Sequence, residues 1–487
     1  MPPQPRAPEG IAAPTRLRDL HVVRDSDGLC SLIYDLERTF VIEVPESLRT
    51  AVGAALGLGL ETSAELLDWL TDEDLLTSEP YRSRAQGTRP KVPQLTDISL
   101  DMSGSCNMGC VYCFEDDIGS RIGPMSEETA IASLDFAFAK AAESDHVALH
   151  FGSGEPLIRF DLLRSIVAHA SRRAATLGKT VSYDLTTNAT LVTDEIARFL
   201  RDHPFAVRVS CDGPARLHDR FRPMRGGRPS YSAVQRGLGF LLRDLPDRVT
   251  VNSVLCGGTR LHELWFWAKE IGLRHFHVIK VGTYESRDIS LQEAELNDFR
   301  TDLEAICAEM FDELERGRRP IDFQPITKIV RRLMIPEPIT RFCGVAGSYL
   351  GVASNGNVYP CFRHLGVDRH KLGDIWNGVD DEKRQAFLGA EAADVDSRPV
   401  CRDCWARYLC GGGCYADSVV YGPDRLKPQE QHCPFWRTEI EVAMSFFDRL
   451  RVSDPANCLR LFGDDPDYLL SDESAGGLEF LRRRNCQ

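Results

Sequence analysis

A chain of 487 residues with 43% hydrophobic content is too long for one ordinary domain and apolar enough to bury two or three cores. A formal net charge of −14 argues against a nucleic-acid backbone as the main partner, because such binding is led by basic surface. No stretch is apolar for long enough to span a membrane, and Met1-Pro-Pro-Gln-Pro-Arg6 has no apolar segment of a secretory signal, so a cytoplasmic protein is expected.

The first region, residues 1–90, opens on a Pro-rich leader that reads as disordered. Leu20-His-Val-Val-Arg24, Cys30-Ser-Leu-Ile-Tyr34 and Arg38-Thr-Phe-Val-Ile-Glu43 then read as short strands, with Asp27-Gly28 as a turn. Two helices are expected, over 45–56 and over 63–70, the second with Ser63 as its N-cap. This order, closing on Leu66-Leu-Asp-Trp-Leu70 and Asp74-Leu-Leu76, resembles the winged-helix module that binds leader peptides of ribosomally made, post-translationally modified peptides. Such a module takes a peptide as an added edge strand. A plain helical cap on the next domain is the other reading.

From residue 94 to 320, strands alternate with amphipathic helices. The strands are 96–102, 147–151, 181–186, 206–210, 249–254 and 275–279, and the helices are 127–142, 160–177, 194–200, 231–242 and 262–271. The alternation implies a parallel sheet with right-handed crossovers, an α/β partial (β/α)6 barrel of TIM-like type, with reacting groups at the C-terminal strand ends. Directly after the first strand comes Cys106-Asn-Met-Gly-Cys110-Val-Tyr-Cys113. Sixteen cysteines in a chain without a signal peptide point to metal ligation rather than disulfides. Three thiolates at these gaps can hold three corners of a cubane and leave the fourth iron open, whereas a zinc knuckle would need a distant fourth ligand.

The second strand ends in Phe151-Gly-Ser-Gly-Glu-Pro156, the third in Thr186-Thr-Asn-Ala-Thr-Leu191, and the fourth in Ser210-Cys-Asp-Gly-Pro214, with His218, Asp219 and Arg222 behind it. Together with the cysteine loop these stretches resemble the radical S-adenosylmethionine (radical SAM) signature and its Gly-Gly-Glu-Pro, Thr-Asn-Gly and Ser-Leu-Asp-Gly-Pro motifs. Ser153 stands for a glycine of the first motif and Ala189 for one of the second. The resemblance implies that Cys106, Cys110 and Cys113 bind a 4Fe-4S cluster and that Ser153, Gly154, Glu155, Asn188, Ser210 and Asp212 contact SAM. It names no catalytic residue. His275 and His277 read as barrel residues with no metal role.

Residues 340–440 carry Cys343, Gly356, Cys361 and then Cys401-x2-Cys404-x5-Cys410-x3-Cys414-x18-Cys433. This arrangement resembles the SPASM domain, the extension of radical SAM enzymes that act on peptides and proteins, with two auxiliary iron-sulfur clusters of the 4Fe-4S kind. The resemblance implies that Cys401, Cys404, Cys410 and Cys433 hold one cluster and that Cys343, Cys361 and Cys414 belong to the other. Tyr349 stands where some members have a further cysteine. Two zinc sites are the alternative on ligand type alone. Cys30, Cys211, Cys256, Cys307, Cys458 and Cys486 are scattered and read as core or surface thiols. A helix over 438–450 and a polar tail complete residues 441–487.

The combined resemblance implies SAM cleavage to a 5′-deoxyadenosyl radical, hydrogen abstraction from a precursor peptide or protein, and an intramolecular thioether or carbon–carbon cross-link. Flavodoxin or ferredoxin is the kind of electron donor it implies, and no nucleic acid or membrane is expected as a partner. An anaerobic sulfatase maturase, making formylglycine, shares the architecture, but its base follows a SPASM cysteine as Asp. Phe362 follows Cys361 here, and a phenyl ring cannot accept a proton. A non-catalytic iron-sulfur carrier or sensor is the remaining alternative.

Overall fold

The computed structural model describes residues 16–24, 28–52, 63–77, 95–118, 122–282, 289–334, 338–388, 394–418 and 427–462. The Pro-rich leader, Asp27, residues 53–56 of the helix expected over 45–56, Cys486 and the tail fall outside these residues.

Near the N-terminus, β1 (Arg16–Leu17) precedes three antiparallel strands, β2 (Leu20–Arg24), β3 (Cys30–Asp35) and β4 (Phe40–Glu43). The helix Ala64–Asp72 follows, and β5 (Leu76–Thr77) returns to pair with β1. Ser63 caps that helix as expected, its side chain accepting from the Leu66 N–H. Alternation along β3 gives the sheet two buried faces. Ile33 packs with Ile42, Leu66 and Leu70 in a small local core, whereas Leu32, Tyr34 and Val41 join the main core of the chain. The N-terminal sheet is therefore covered on both faces, by its own helix on one and by the main core on the other.

The main sheet contains the six expected strands, β6 (Asp97–Leu100), β7 (His146–Phe151), β8 (Thr180–Thr187), β9 (Phe205–Ser210), β10 (Val249–Leu255) and β11 (His275–Lys280), all parallel and in chain order. The helices that cross between them begin within one residue of expectation, and Phe160–Leu177 matches at both ends. Along β7, Val147, Leu149 and Phe151 are buried against the helices, while His146, Ala148 and His150 line the inner face.

Beyond residue 320 the sheet continues. The short β12 (Asp322–Phe323) adds parallel to β11, after a helix Leu296–Glu315 and before a helix Gln324–Met334 that the β/α alternation does not anticipate. At the opposite edge β13 (Tyr349–Val352) pairs parallel with β6, and β14 (Asn357–Tyr359), β15 (Gly373–Asp374) and β16 (Gly378–Val379) continue antiparallel. The result is one open sheet of 11 strands among the described residues, in which β12 and β13 are not neighbours. The cysteine-rich region thus grows directly out of the barrel sheet. The last long helix is Cys433–Val452, longer than the expected 438–450, so residue 440 lies inside a continuous element. It packs on both Leu296–Glu315 and Gln324–Met334. Cys30, Cys211, Cys256, Cys307 and Cys458 are all buried.

Arg407 joins the N-terminal module to the cysteine-rich region. It lies 2.9 Å from Asp19 and 3.4 Å from the buried Asp396, with its side chain 3% exposed. Breaking such a pair leaves a buried carboxylate unmatched, a cost of about 3–5 kcal/mol. Arg407→Met is accordingly expected to lower the denaturant midpoint and to speed amide exchange in β2 to β4 while leaving β7 to β9 protected. Unchanged exchange in β2 to β4 would show that the module is held elsewhere.

Candidate active site

The segment 106–113 has no ladder of its own, so its backbone must find partners outside it. A second segment, 221–225, supplies them: the N–H groups of Gly109 and Val111 donate to Pro223 O at 2.8 Å and Phe221 O at 2.9 Å, and Arg225 N–H donates to Asn107 O at 2.9 Å. Arg225 also donates from Nε to Cys106 O at 2.8 Å and pairs with Asp116 at 3.0 Å.

The end of β7 closes on the same loop. Glu155 N–H donates to Ser105 O at 2.8 Å, and Ser103 Oγ donates to Ser105 O at 2.9 Å and lies 3.2 Å from Ser153 O. Gly154 is required here. Its φ is +61°, and a Cβ would sit 2.2 Å from Ser105 O. Its N–H donates to both oxygens of Glu115, at 3.0 and 2.9 Å. Glu115 escapes sequence reasoning because it follows the last cysteine in a position the motif leaves open.

Glu155, expected at the ligand, is fully buried and turned into the protein. It accepts from Thr187 Oγ1 at 2.8 Å, Leu157 N–H at 3.1 Å and Asn188 N–H at 2.7 Å. Its carboxylate therefore fastens the end of β8 to the end of β7. Asn188 in turn donates from Nδ2 to Asn107 Oδ1 at 2.8 Å and toward Cys106 Sγ at 3.8 Å, while its Oδ1 accepts from Thr190 N–H at 3.0 Å. Asn107 is a further residue that spacing alone does not single out.

Asp212 is likewise engaged by the protein. One oxygen pairs with Arg222 Nε at 3.0 Å and accepts from Val254 N–H at 2.9 Å, and the other accepts from the Tyr112 hydroxyl. Arg222 also lies over the Tyr112 ring, 5.2 Å from its centroid, and its Nη1 donates toward Cys110 Sγ at 3.9 Å. His218 accepts from Asp212 N–H at 3.3 Å, and burial holds its imidazole down at about 4, so it remains neutral. Asp219 accepts from the N–H groups of Ser230 and Tyr231 at 2.7 and 2.8 Å and holds the start of the helix Tyr231–Asp244.

Ser153 and Ser210 differ from these. Ser153 Oγ is buried without a hydrogen-bond partner among the described residues. Ser210 ends β9 beside Asn252, whose buried Oδ1 is also without one among them. Polar atoms left open at a strand end are what a polar ligand would satisfy.

The thiols suit iron-sulfur chemistry. Burial pushes the Cys110 thiol up to about 12, so binding of iron would release its proton. Cys401, Cys404, Cys410 and Cys433 lie within electrostatic reach of one another, and Cys343, Cys361 and Cys414 form a second such group. Arg363 Nη1 donates to Cys414 Sγ at 3.0 Å. Among the described residues no three His, Cys, Asp or Glu side chains converge tightly enough for one metal ion, and thiolates on cluster corners stand wider than that. Tyr349 lies on β13 with its ring against His150, 5.3 Å between centroids, and its hydroxyl hydrogen-bonded to Ser99.

A family model described as the radical SAM superfamily matches residues 100–271, and one described as an iron-sulfur cluster-binding domain, SPASM, matches 343–405. The cysteine-type anaerobic sulfatase-maturating enzyme of Clostridium perfringens (strain 13 / Type A) is 22% identical over 340 residues, 66% of this chain and 89% of the relative. The serine-type anaerobic sulfatase-maturating enzyme of Bacteroides thetaiotaomicron is 27% identical over 342 residues, 63% of this chain and 80% of the relative. A solved structure, native anSMEcpe with bound AdoMet, shares the fold with a TM-score of 0.61 at 20% identity, over 73% of this chain and 98% of that one.

Burial raises the Glu155 carboxyl from an ordinary 4.5 to about 7, against the lowering effect of its hydrogen bonds from Asn188, Thr187 and Leu157. A value raised on folding favours the native state fully below the unfolded value, and that contribution is lost as pH rises through the folded one. Wild-type stability is therefore expected to fall relative to Glu155→Gln between pH 4.5 and 7, followed by urea midpoints, with iron content unchanged. Parallel curves would mean that Glu155 titrates normally.

Proposed function

The chain belongs to the radical SAM enzymes that carry a SPASM extension, and on that premise we propose that it modifies a ribosomally made peptide or protein, installing an intramolecular cross-link. Membership brings S-adenosylmethionine, a 4Fe-4S cluster and auxiliary iron-sulfur clusters. Bound together, they supply a 5′-deoxyadenosyl radical able to take hydrogen from an unactivated carbon. Cys106, Cys110 and Cys113 would hold the first cluster. Ser153 and Ser210 offer their hydroxyls for SAM and Gly154 the close backbone approach beside them, whereas Glu155, Asn188 and Asp212 set the shape of the strand ends around it.

The observation that carries the peptide reading is the docked N-terminal module. Its edge strand β2 places His21 flat on Trp405, with ring centroids 3.5 Å apart, immediately after the cluster ligand Cys404. A sheet seated against a cluster loop can present an added peptide strand toward the barrel mouth. No helix among the described residues is long and apolar enough to cross a membrane, and an electron donor of the flavodoxin or ferredoxin kind is part of the proposal.

Formylglycine formation is a second reading, favoured by the sulfatase-maturating relatives. Against it stands Phe362, which packs on Phe114 with 6.0 Å between ring centroids and offers no proton acceptor beside Cys361.

Anaerobically reconstituted protein with SAM and dithionite is expected to form 5′-deoxyadenosine, and Cys106→Ala, Cys110→Ala or Cys113→Ala to abolish it. Mass spectrometry of a peptide encoded beside the gene should show loss of two hydrogens with sulfur retained. Loss of a cysteine sulfur, or a two-hydrogen loss that leaves a hydrazide-reactive aldehyde at a serine, would instead establish the formylglycine reading, and no 5′-deoxyadenosine would refute SAM cleavage altogether.

A further inference from the structure

The inner face of the barrel carries two cations that no carboxylate among the described residues answers. Arg208 lies on β9 between Thr186 of β8 and Thr250 of β10 in register, two residues before Ser210 and on the same face. Lys328 reaches in from the helix Gln324–Met334, its Nζ 3.4 Å from His277 Nε2. The nearby carboxylates are occupied: Asp322 by His275 at 3.1 Å and by the Thr327 hydroxyl, Glu439 by Lys280. Three polar atoms around the pair are buried without partners among the described residues, His277 Nδ1, Asn252 Oδ1 and Gln324 Oε1. Asn252 and His277 face each other in register with Ser210, which sets them at the height of the motif-bearing strand end. Gln324 lies one helical turn before Lys328, on the same face.

The electrostatic surroundings of the pair favour a negative charge. Burial first, then the charges of Arg208 and Arg332, push Lys328 down to about 8, against a smaller raising effect of Asp322 and Glu439. His277 is held well below the usual imidazole range by burial and then by Lys328 and Arg208, so it contributes no charge. Cations kept inside a fold without a counter-charge are costly, and such groups collect where a ligand completes them. The half-buried Thr186, Arg208, Thr250 and Lys328 leave this face open to solvent.

We propose that Arg208 and Lys328, with His277, Asn252 and Gln324 around them, form a carboxylate-binding subsite inside the barrel that takes an acidic side chain or the C-terminal carboxylate of the substrate peptide. The peptide as occupant rests on the function proposed above, while the anion chemistry rests on these residues alone. Arg208 provides the planar fork for a bidentate carboxylate, and Lys328 provides a point charge beside it.

Titration calorimetry on the full-length, cluster-loaded protein tests this with succinate and two pairs of capped peptides. Acetyl-Ala-Asp-Ala-amide against its Asn counterpart reads the side-chain source, and acetyl-Ala-Ala against its amide reads the C-terminal source. In at least one pair the carboxylate is expected to bind about tenfold or more tighter than the amide. Arg208→Gln and Lys328→Met should each erase that preference, and Arg208→Lys should keep part of it, with thermal melting and SAM affinity as in the wild type. Equal binding of acid and amide would overturn the proposal. So would carboxylate binding that survives both substitutions in folded protein, or a loss of SAM affinity as large as the loss for the peptides. If 5′-deoxyadenosine forms but no peptide is altered, the peptide reading fails; succinate binding lost in both variants would still uphold the subsite.

Discussion

Everything at the catalytic end depends on holding three thiols on a segment with no secondary structure of its own. The chain meets that constraint with strand ends. β7 contributes Gly154 and Glu155, β8 contributes Asn188, and the stretch after β9 contributes Arg222 and the 221–225 backbone, each hydrogen-bonded to the cysteine loop or to its immediate neighbours. The two buried carboxylates play matching parts. Glu155 ties β8 to β7, and Asp212 ties Arg222 and Tyr112 to β10. Polar networks of this kind are stable only when every member is satisfied, which makes the loop geometry a property of the whole barrel end.

The cysteine-rich region is bound to that barrel by two devices. β13 lies against β6, so Cys361, which follows the β13–β14 hairpin, is placed by the same sheet that positions the first cysteine loop. Gly351 lets the chain pass close there, since a Cβ would stand 2.7 Å from the carbonyl carbon of Cys361. On the other side the helix beginning at Cys433 packs on the helices Leu296–Glu315 and Gln324–Met334, so a thiol of the Cys401, Cys404, Cys410 and Cys433 group is fixed to the opposite edge of the fold. The partial positive charge at a helix N-terminus also favours a thiolate at that first residue.

Much of this was legible in the sequence. Periodicity marks the strands β6 to β11 and the helix Phe160–Leu177 because each is long enough to show its repeat, and Ser63 is an N-cap with an ordinary mechanism. β12 has two residues and β13 four, too few for a period, so the continuation of the sheet on both sides has no such signal. The division of the C-terminal thiols into two groups comes from the resemblance to the SPASM domain and not from their spacing. Side-chain direction was the part the sequence could not carry. Glu155 and Asp212 stand where motif reading puts them, yet their carboxylates point into the protein, and their partners Thr187, Tyr112 and Val254 come from elements far apart in the chain. The inward-facing Arg208 and Lys328 belong to no motif, and only the register of β9, β10 and β11 brings them onto one face.

The helix Cys433–Val452 also works as a spacer. Its first residue is Cys433, proposed as a cluster ligand, while near its far end Arg451 pairs with Glu43 of β4 at 3.6 Å and Arg449 stacks on Phe311 at 3.7 Å. Twenty residues of α-helix span about 30 Å. A peptide held along β4 and reaching the Cys433 end would therefore need on the order of nine extended residues between the part that is held and the part that arrives. For a peptide held as proposed, the helix would act as a measuring rod, and substrates with a shorter connecting segment would fall short of the Cys433 end however well their other end is bound.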